Sequence, residues 1–324
     1  MKSGKRFLLL LIVASGLFAG CSYFAVMFAP KKHPRGTPRT DTALAADAFF
    51  WKTLHGGKYE NIPDAQVFLT RAYLADPTDS VTAAHIGFLH IWQLSERTRL
   101  HPVPPTITDQ AVLARKYFQE SVSLNRSDPR ILGFLGSSLL GEGAIHHDEP
   151  LVRKGYYTLQ DSIHAWPEFN YFTVGYSLSS QPADSPRFRE ALNDQWRNLD
   201  VCVDQTVDRR NPDYSKYMPL YTTEGRKRVC WNSWIAPHNF EGFFLNLGDM
   251  LVKSGDWQTA QKVYANAKLS PDYANWKFRA VLEDHIKQAP ANVSLFNAPD
   301  DPHHPGKNRI MVNSPYACMA CHQE

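Results

Sequence analysis

Cysteine is scarce in this sequence, and neither sign of charge is in excess. Only 5 of the 324 residues are cysteines, and 35 Lys and Arg stand against 32 Asp and Glu, which gives a formal net charge of +3. A charge so nearly balanced lacks the basic footprint of a protein that binds DNA or RNA, so we expect no nucleic-acid partner. Runs that alternate apolar and polar residues are also missing, which argues against a sheet.

Patterns typical of catalysis are absent as well. The sequence offers no recognisable acid/base pair, no nucleophile with its supporting residues and no glycine-rich phosphate loop. We therefore expect a protein that is not an enzyme.

Helical periodicity is the dominant pattern that is present. From about residue 43 to residue 290, apolar residues recur three and four positions apart, with interruptions at Pro, Gly and Asp. With 43% hydrophobic residues, the chain has ample apolar side chains for a core. The sequence predicts an all-α domain over 43–290, a linker rich in Pro and charge at 31–42, and an extended tail at 291–324.

The helical pattern also repeats in pairs. In FFLNLGDMLVKSGDWQTAQKVYANAKLSPDY, small residues such as Gly248 and Ala260 and larger ones such as Leu247 and Tyr264 have spacings that resemble the tetratricopeptide repeat. Including weaker copies upstream, about four or five such units cover the domain. The resemblance implies a solenoid of antiparallel helix pairs whose concave face docks another protein. A helical bundle without a groove is the alternative.

Residues 1–30 have the layout of a signal sequence or a membrane anchor, because basic residues precede an apolar run. The segment Phe-Ala-Gly-Cys that ends at Cys21 resembles the lipobox of bacterial lipoproteins, which implies that Cys21 carries the lipid anchor. Alternatively, the apolar run from residue 7 to residue 29 spans roughly 30 Å of hydrocarbon as an uncleaved helix. Both interpretations predict a protein of the bacterial cell envelope, membrane-anchored and facing the periplasm or the cell surface.

Cys202 and Cys230 are our candidates for a disulfide, because unpaired thiols need a reason in an oxidising compartment. Two buried free cysteines are the alternative. Between them lies DRRNPDYSKYMPLYTTEGRKR, residues 208–228, which interrupts the helical pattern. Its polarity predicts a solvated insertion that does not belong to the core.

The chain ends PYACMACHQE, in which Cys318, Cys321 and His322 match C-x-x-C-H, the attachment motif of c-type haem. Two thiols three positions apart can form thioethers to one haem, and the adjacent histidine becomes the proximal iron ligand. With five cysteines and 13 histidines in the chain, chance would produce this motif on the order of 0.003 times. The sequence therefore predicts one covalently bound haem c.

The sixth iron ligand must come from upstream or from a partner, because only two residues follow the motif. His303, His304 and Met311 are the nearest candidates, and hydrated loop histidines are the alternative for the first two. Other interpretations of the motif remain. The alternatives are a redox-active dithiol, half of a zinc site, and a terminal disulfide between Cys318 and Cys321.

Together these patterns predict a membrane-anchored, non-cytoplasmic c-type haem protein. Its helical repeats dock a partner, either a redox protein or an envelope complex, and its terminal haem exchanges electrons. The alternative function is an envelope scaffold or assembly factor whose terminal C-x-x-C-H is a structural thiol pair or a metal site.

Overall fold

The computed structural model describes residues 24, 27–34, 38–126, 128–231 and 240–299, except for the side chain of Thr98. These residues contain no strand, and the expected all-α fold is confirmed. Within the described ranges there are eleven α-helices: α1 (Asp41–His55), α2 (Ile62–Ala75), α3 (Ser80–Ser95), α4 (Asp109–Leu124), α5 (Pro129–His146), α6 (Glu149–Ala165), α7 (Pro167–Leu178), α8 (Pro186–Val203), α9 (Phe240–Lys253), α10 (Trp257–Ala265) and α11 (Arg279–Phe296).

Short polar side chains set the starts of several helices. Asp128 precedes Pro129 and accepts a hydrogen bond from the backbone N–H of Arg130, and Ser185 precedes Pro186 and accepts one from Phe188. Such a residue satisfies a backbone donor that the first helical turn leaves unpaired, and proline at the next position loses no helical bond. The local sequence thus specifies where these helices begin.

Consecutive helices pack as pairs. Extensive contacts join α1 with α2, α3 with α4, α5 with α6, α7 with α8, and α9 with α10. Between pairs, α4 also packs extensively on α5, and α11 packs on both α9 and α10. Contacts also link α1 to α3, α5 to α7, and α9 to α11. The chain therefore forms a row of helix pairs followed by a final helix, and in two places the first helix of one pair contacts the first helix of the next.

Glycines allow the closest of these helix crossings. A Cβ added to Gly136 on α5 would lie 2.7 Å from Cγ of Leu159 on α6. On α9, a Cβ at Gly248 would lie 2.1 Å from the ring of Tyr264 on α10. Because no side chain fits there, the two helices of each pair can approach closely.

The prediction for residues 208–228 was wrong about the core. Tyr214 and Tyr217 are 2% and 3% exposed, and they share one hydrophobic cluster with Trp231 and with Phe243 and Phe244 of α9. Most charged residues of the segment do face solvent. The polarity of the segment concealed its aromatic anchors, which are buried because α7, α8 and α9 offer them an apolar surface.

Helix boundaries differ from the expected ones at both ends of the domain. The first helix begins at Asp41, inside the expected linker 31–42, because Thr40 accepts a hydrogen bond from the backbone N–H of Ala43. The last helix continues past the boundary expected at residue 290 and includes Pro290. Proline has no N–H to donate to the carbonyl of Ile286, and Nε2 of Gln261 donates to that carbonyl instead, at 3.2 Å.

The described part of the linker contacts the helical domain. Nζ of Lys32 donates to the hydroxyl of Tyr73 on α2 at 3.0 Å and to Oε1 of Glu120 on α4 at 2.6 Å. Among the helices of the described ranges, none has the length and hydropathy that a bilayer span requires. Most of the expected anchor, including Cys21, lies outside the described residues.

Candidate functional site

The residues expected to carry haem chemistry are outside the described part of the chain. This applies to Cys318, Cys321, His322 and the candidate ligands His303, His304 and Met311. The expected pairing of Cys202 with Cys230 is present as a disulfide, with Cα atoms 5.9 Å apart.

The best-defined polar site joins three helices at the carboxyl end of the helical domain. Asp249 of α9 accepts a hydrogen bond from the hydroxyl of Tyr264 on α10, with 2.7 Å between the two oxygens. The same carboxylate oxygen lies 2.7 Å from Nδ1 of His285 on α11. Each of the last three long helices thus contributes one side chain, and the carboxylate connects them.

Burial makes these contacts necessary. Asp249 and Tyr264 are 0% exposed, so neither polar group can be solvated by bulk water. A buried carboxylate without partners costs several kcal/mol, and its hydrogen bonds recover that cost. Gly248 supports the arrangement because its missing side chain lets the ring of Tyr264 lie against α9. The backbones of α9 and α10 therefore place Asp249 and Tyr264 together, and α11 contributes His285 to the same site.

The electrostatics of the site favour the protonated form of His285. Burial lowers the pKa of His285, but the charge and hydrogen bond of Asp249, together with the charge of Asp284, outweigh it, so the net pKa lies above its ordinary value. Burial, together with the Asp249 carboxylate, raises the pKa of Tyr264 well above normal. Because a carboxylate oxygen accepts, Nδ1 of His285 is the donor of the hydrogen bond to Asp249. Among the described residues, no partner bonds Nε2, and the side chain remains 16% exposed.

Two other buried histidines have different surroundings. His85 contacts Oδ1 of Asp47 through Nδ1, but its ring stacks 4.1 Å from the ring of Phe50 and meets the edge of Trp51 at 5.2 Å. His90 uses both nitrogens, since Nδ1 lies 2.7 Å from Oε1 of Gln110 and Nε2 lies 3.5 Å from the side-chain nitrogen of Gln66.

Burial lowers the pKa of His90, and its neutral ring fits the pair of amide partners. For the carboxyl of Asp47, in contrast, burial does not set the direction of the pKa shift. Burial works to raise the pKa of this carboxyl, but hydrogen bonds from His85 and Arg39 outweigh it and the net pKa is lowered. Both histidines are explained as structural members of the core.

A cavity of about 230 Å³ lies between α5 and α7. Its walls are mostly apolar, and the hydroxyl oxygens of Ser137 and Ser177 are 2.5 Å apart there. Pockets that enclose small-molecule ligands are usually about 300 to 1,000 Å³, so this one is small for a cofactor. Its lining, as far as the structure describes it, contains no His, Cys or Met.

Comparison with known proteins gives no family for this chain. No family model, no curated protein and no solved structure matches it. In the described ranges, no three His, Cys, Asp or Glu side chains gather where they could hold a metal ion. The chemistry of the site formed by Asp249, Tyr264 and His285 is therefore inferred from its geometry alone.

Neither Asp249 nor His285 was predicted from the sequence as a site residue. A signal for the first was available, because Asp249 is a lone acidic residue inside the apolar run FFLNLGDMLV. A charge at a buried helix position requires a partner. Nothing in the sequence near residue 285 identifies that partner, since the contact joins side chains 36 positions apart.

Proposed function

We propose that this protein is a membrane-anchored c-type haem protein of the bacterial cell envelope, with a helical domain that docks a partner and a terminal haem that transfers electrons. The motif of Cys318, Cys321 and His322 carries the proposal. Its spacing supplies two thioether bonds and one iron ligand, and chance is a poor explanation for it. When bound, the haem would exchange one electron at a time between ferrous and ferric iron.

The finer description of the fold belongs to the same proposal. We infer that the helix pairs stack as a tetratricopeptide-like solenoid, with the haem on the segment that follows α11. The contacts of α1 with α3 and of α5 with α7, which are first helices of neighbouring pairs, support this, as does the ring of Tyr264 against Gly248. A row of stacked helix pairs has a long surface suited to a protein partner, either a redox protein or an envelope complex.

Two observations support the proposed location of the protein outside the cytoplasm. The disulfide between Cys202 and Cys230 is the kind of bond that persists in an oxidising compartment. The basic and apolar start of the sequence has the layout of an export signal, and the lipobox-like segment at Cys21 would supply the anchor. Covalent haem attachment takes place in the same compartment.

Covalent haem can be tested directly. The full chain is produced in a bacterial host that has the haem-attachment machinery, denatured, and examined by haem staining and intact mass. We expect one porphyrin to remain with the polypeptide after denaturation. Replacement of both motif cysteines, Cys318→Ala with Cys321→Ala, should remove it.

The matched control is Cys202→Ala with Cys230→Ala, which removes the other two cysteines of the mature domain and should leave the haem attached. A mature polypeptide without added porphyrin, from cells that make other c-type cytochromes, would reject the proposal. It would favour the envelope scaffold, in which the terminal thiols are structural or hold a metal.

A further inference from the structure

We propose that the cavity between α5 and α7 binds a small, uncharged alcohol or phenol. Such a ligand has an apolar body and one hydroxyl group. The proposal concerns the helical domain alone and does not require a haem. The size of the cavity, its uncharged lining and the hydroxyls of Ser137, Ser138 and Ser177 carry it.

The size and the walls of the cavity limit the ligand. Its volume is about 230 Å³, whereas an apolar cavity of about 150 Å³ is enough to hold benzene. The cavity therefore has room for one aromatic ring with a few additional atoms, although it is smaller than the usual site of a cofactor. Four helices supply its apolar walls through Ile91, Phe134, Leu140, Val152 and Leu178.

The composition of the lining favours an uncharged ligand. None of the lining residues that the structure describes is acidic, basic or a histidine. Nothing in the cavity would therefore compensate an ion for the water that it loses on entry. Ala144, Ser180 and Gln181 also line the cavity and are exposed to solvent, so a ligand can enter at this edge.

Hydrogen bonds among the serines leave an acceptor for the ligand. Ser177 donates its hydroxyl proton to the carbonyl of Thr173 at 2.7 Å, because a carbonyl oxygen only accepts. Ser137 is then the donor to Ser177, whose hydroxyl oxygen lies 2.5 Å away. Both protons are used, and the oxygen of Ser137 offers its lone pairs to a group that donates. An alcohol or a phenol supplies that donor, whereas a hydrocarbon does not.

Ser138, the neighbour of Ser137 on α5, has an unsatisfied hydroxyl. The residue is 4% exposed and lines the same cavity, and no described residue hydrogen-bonds its hydroxyl. A buried hydroxyl without a partner costs free energy. A ligand hydroxyl both donates and accepts, so one such group suits Ser137 and Ser138 together. Water has the same capacity, but it would leave the apolar walls without contacts.

The experiment titrates the purified full chain with 4-fluorophenol and follows binding by fluorine NMR. We expect saturable binding with a dissociation constant of about 1 mM or less, which suits an enclosed ligand of this size. Fluorobenzene, which lacks the hydroxyl, should bind about tenfold more weakly, because it leaves the serines without a partner. The charged probe 4-fluorobenzoate should show no saturable binding.

Two variants locate the binding site. Ser137→Leu fills the cavity and removes the acceptor, so it should abolish saturable binding of both neutral probes. Ser138→Ala should weaken the binding of 4-fluorophenol about threefold to tenfold and leave that of fluorobenzene unchanged. Because Ser138→Ala removes only an unpartnered hydroxyl, it preserves the fold and tests the site even where Ser137→Leu disturbs the packing. The matched control, Ser123→Leu, adds the same side chain at an exposed position of α4 and should leave every affinity unchanged.

Three outcomes would overturn the proposal. A wild-type chain that shows no saturable binding of 4-fluorophenol has a cavity that holds water or a side chain of a protein partner. Binding that persists unchanged in a folded Ser137→Leu variant takes place elsewhere on the protein. Equal affinities for 4-fluorophenol and fluorobenzene in the wild type would show that the serines do not recognise a hydroxyl group.

Discussion

Asp194 on α8 is a buried carboxyl group whose surroundings oppose its charge. The residue is 4% exposed, and Oδ2 has no hydrogen-bond partner. Burial, with a further contribution from the nearby negative charge of Glu190, raises the pKa of Asp194 to about 7. Asp194 is therefore the residue at which a change of pH should alter stability most directly.

The direction of that effect follows from proton binding. In the unfolded chain the Asp194 carboxyl ionises near pH 4, whereas in the folded chain it holds its proton up to about pH 7. Between these values the folded state binds more protons, so the free energy of unfolding falls as the pH rises. The contribution of the protonated group is fully present below pH 4 and is lost above about pH 7.

Asp194→Asn should therefore stabilise the protein at pH 8 by about 1 to 3 kcal/mol, since the amide carries no charge to bury. The gain should shrink as the pH falls and disappear near pH 4. Urea unfolding of the wild type and the variant across this pH range measures it. Asp161→Asn on α6 is the matched control, because an exposed aspartate should change stability by less than about 0.5 kcal/mol at every pH. A gain that does not depend on pH would contradict the assignment.

At the scale of helices, the local sequence explains starts better than ends. Asp128 and Ser185 identify helix starts because a cap acts on its own first turn. The end expected at residue 290 was wrong, because Gln261 of another helix supplies what Pro290 removes. Contacts between distant residues also explain why the burial of Tyr214 was missed.

The hydrogen bond from Gln261 on α10 to the carbonyl of Ile286 on α11 gives a prediction about stability that involves both helices. Gln261→Ala should lower the free energy of unfolding by about 1 kcal/mol, because the carbonyl of Ile286 loses its donor. Pro290→Ala restores a backbone N–H four residues after Ile286. In that background Gln261→Ala should cost clearly less, and a double-mutant cycle by urea unfolding measures the difference. Equal costs in both backgrounds would mean that the two residues do not share this carbonyl.

At the scale of the whole molecule, one cluster of buried apolar side chains unites the carboxyl half of the domain. It includes Phe172 of α7, Leu199 of α8, Phe244 of α9 and Leu282 of α11, and the segment after α8 adds Tyr214. The disulfide from Cys202 to Cys230 holds that segment to α8. The same cluster packs around the helices that carry Asp249 and His285, so the cross-link and this buried polar site depend on one core.

Removing the cross-link should weaken this core without abolishing the fold. The disulfide joins residues 28 positions apart, and closure of such a loop contributes about 3 to 4 kcal/mol in the chain-entropy view. Cys202→Ala with Cys230→Ala should lower the free energy of unfolding by about that amount.

The control is Cys318→Ala with Cys321→Ala. When this variant and the wild type are both made in cells without haem-attachment machinery, the two proteins should unfold alike. Because the aromatic anchors remain buried without the cross-link, the helical circular dichroism of the first variant should match that of the wild type before unfolding begins. Loss of helix in that variant under native conditions would show that the cross-link, and not the packing of Tyr214, holds the segment in place.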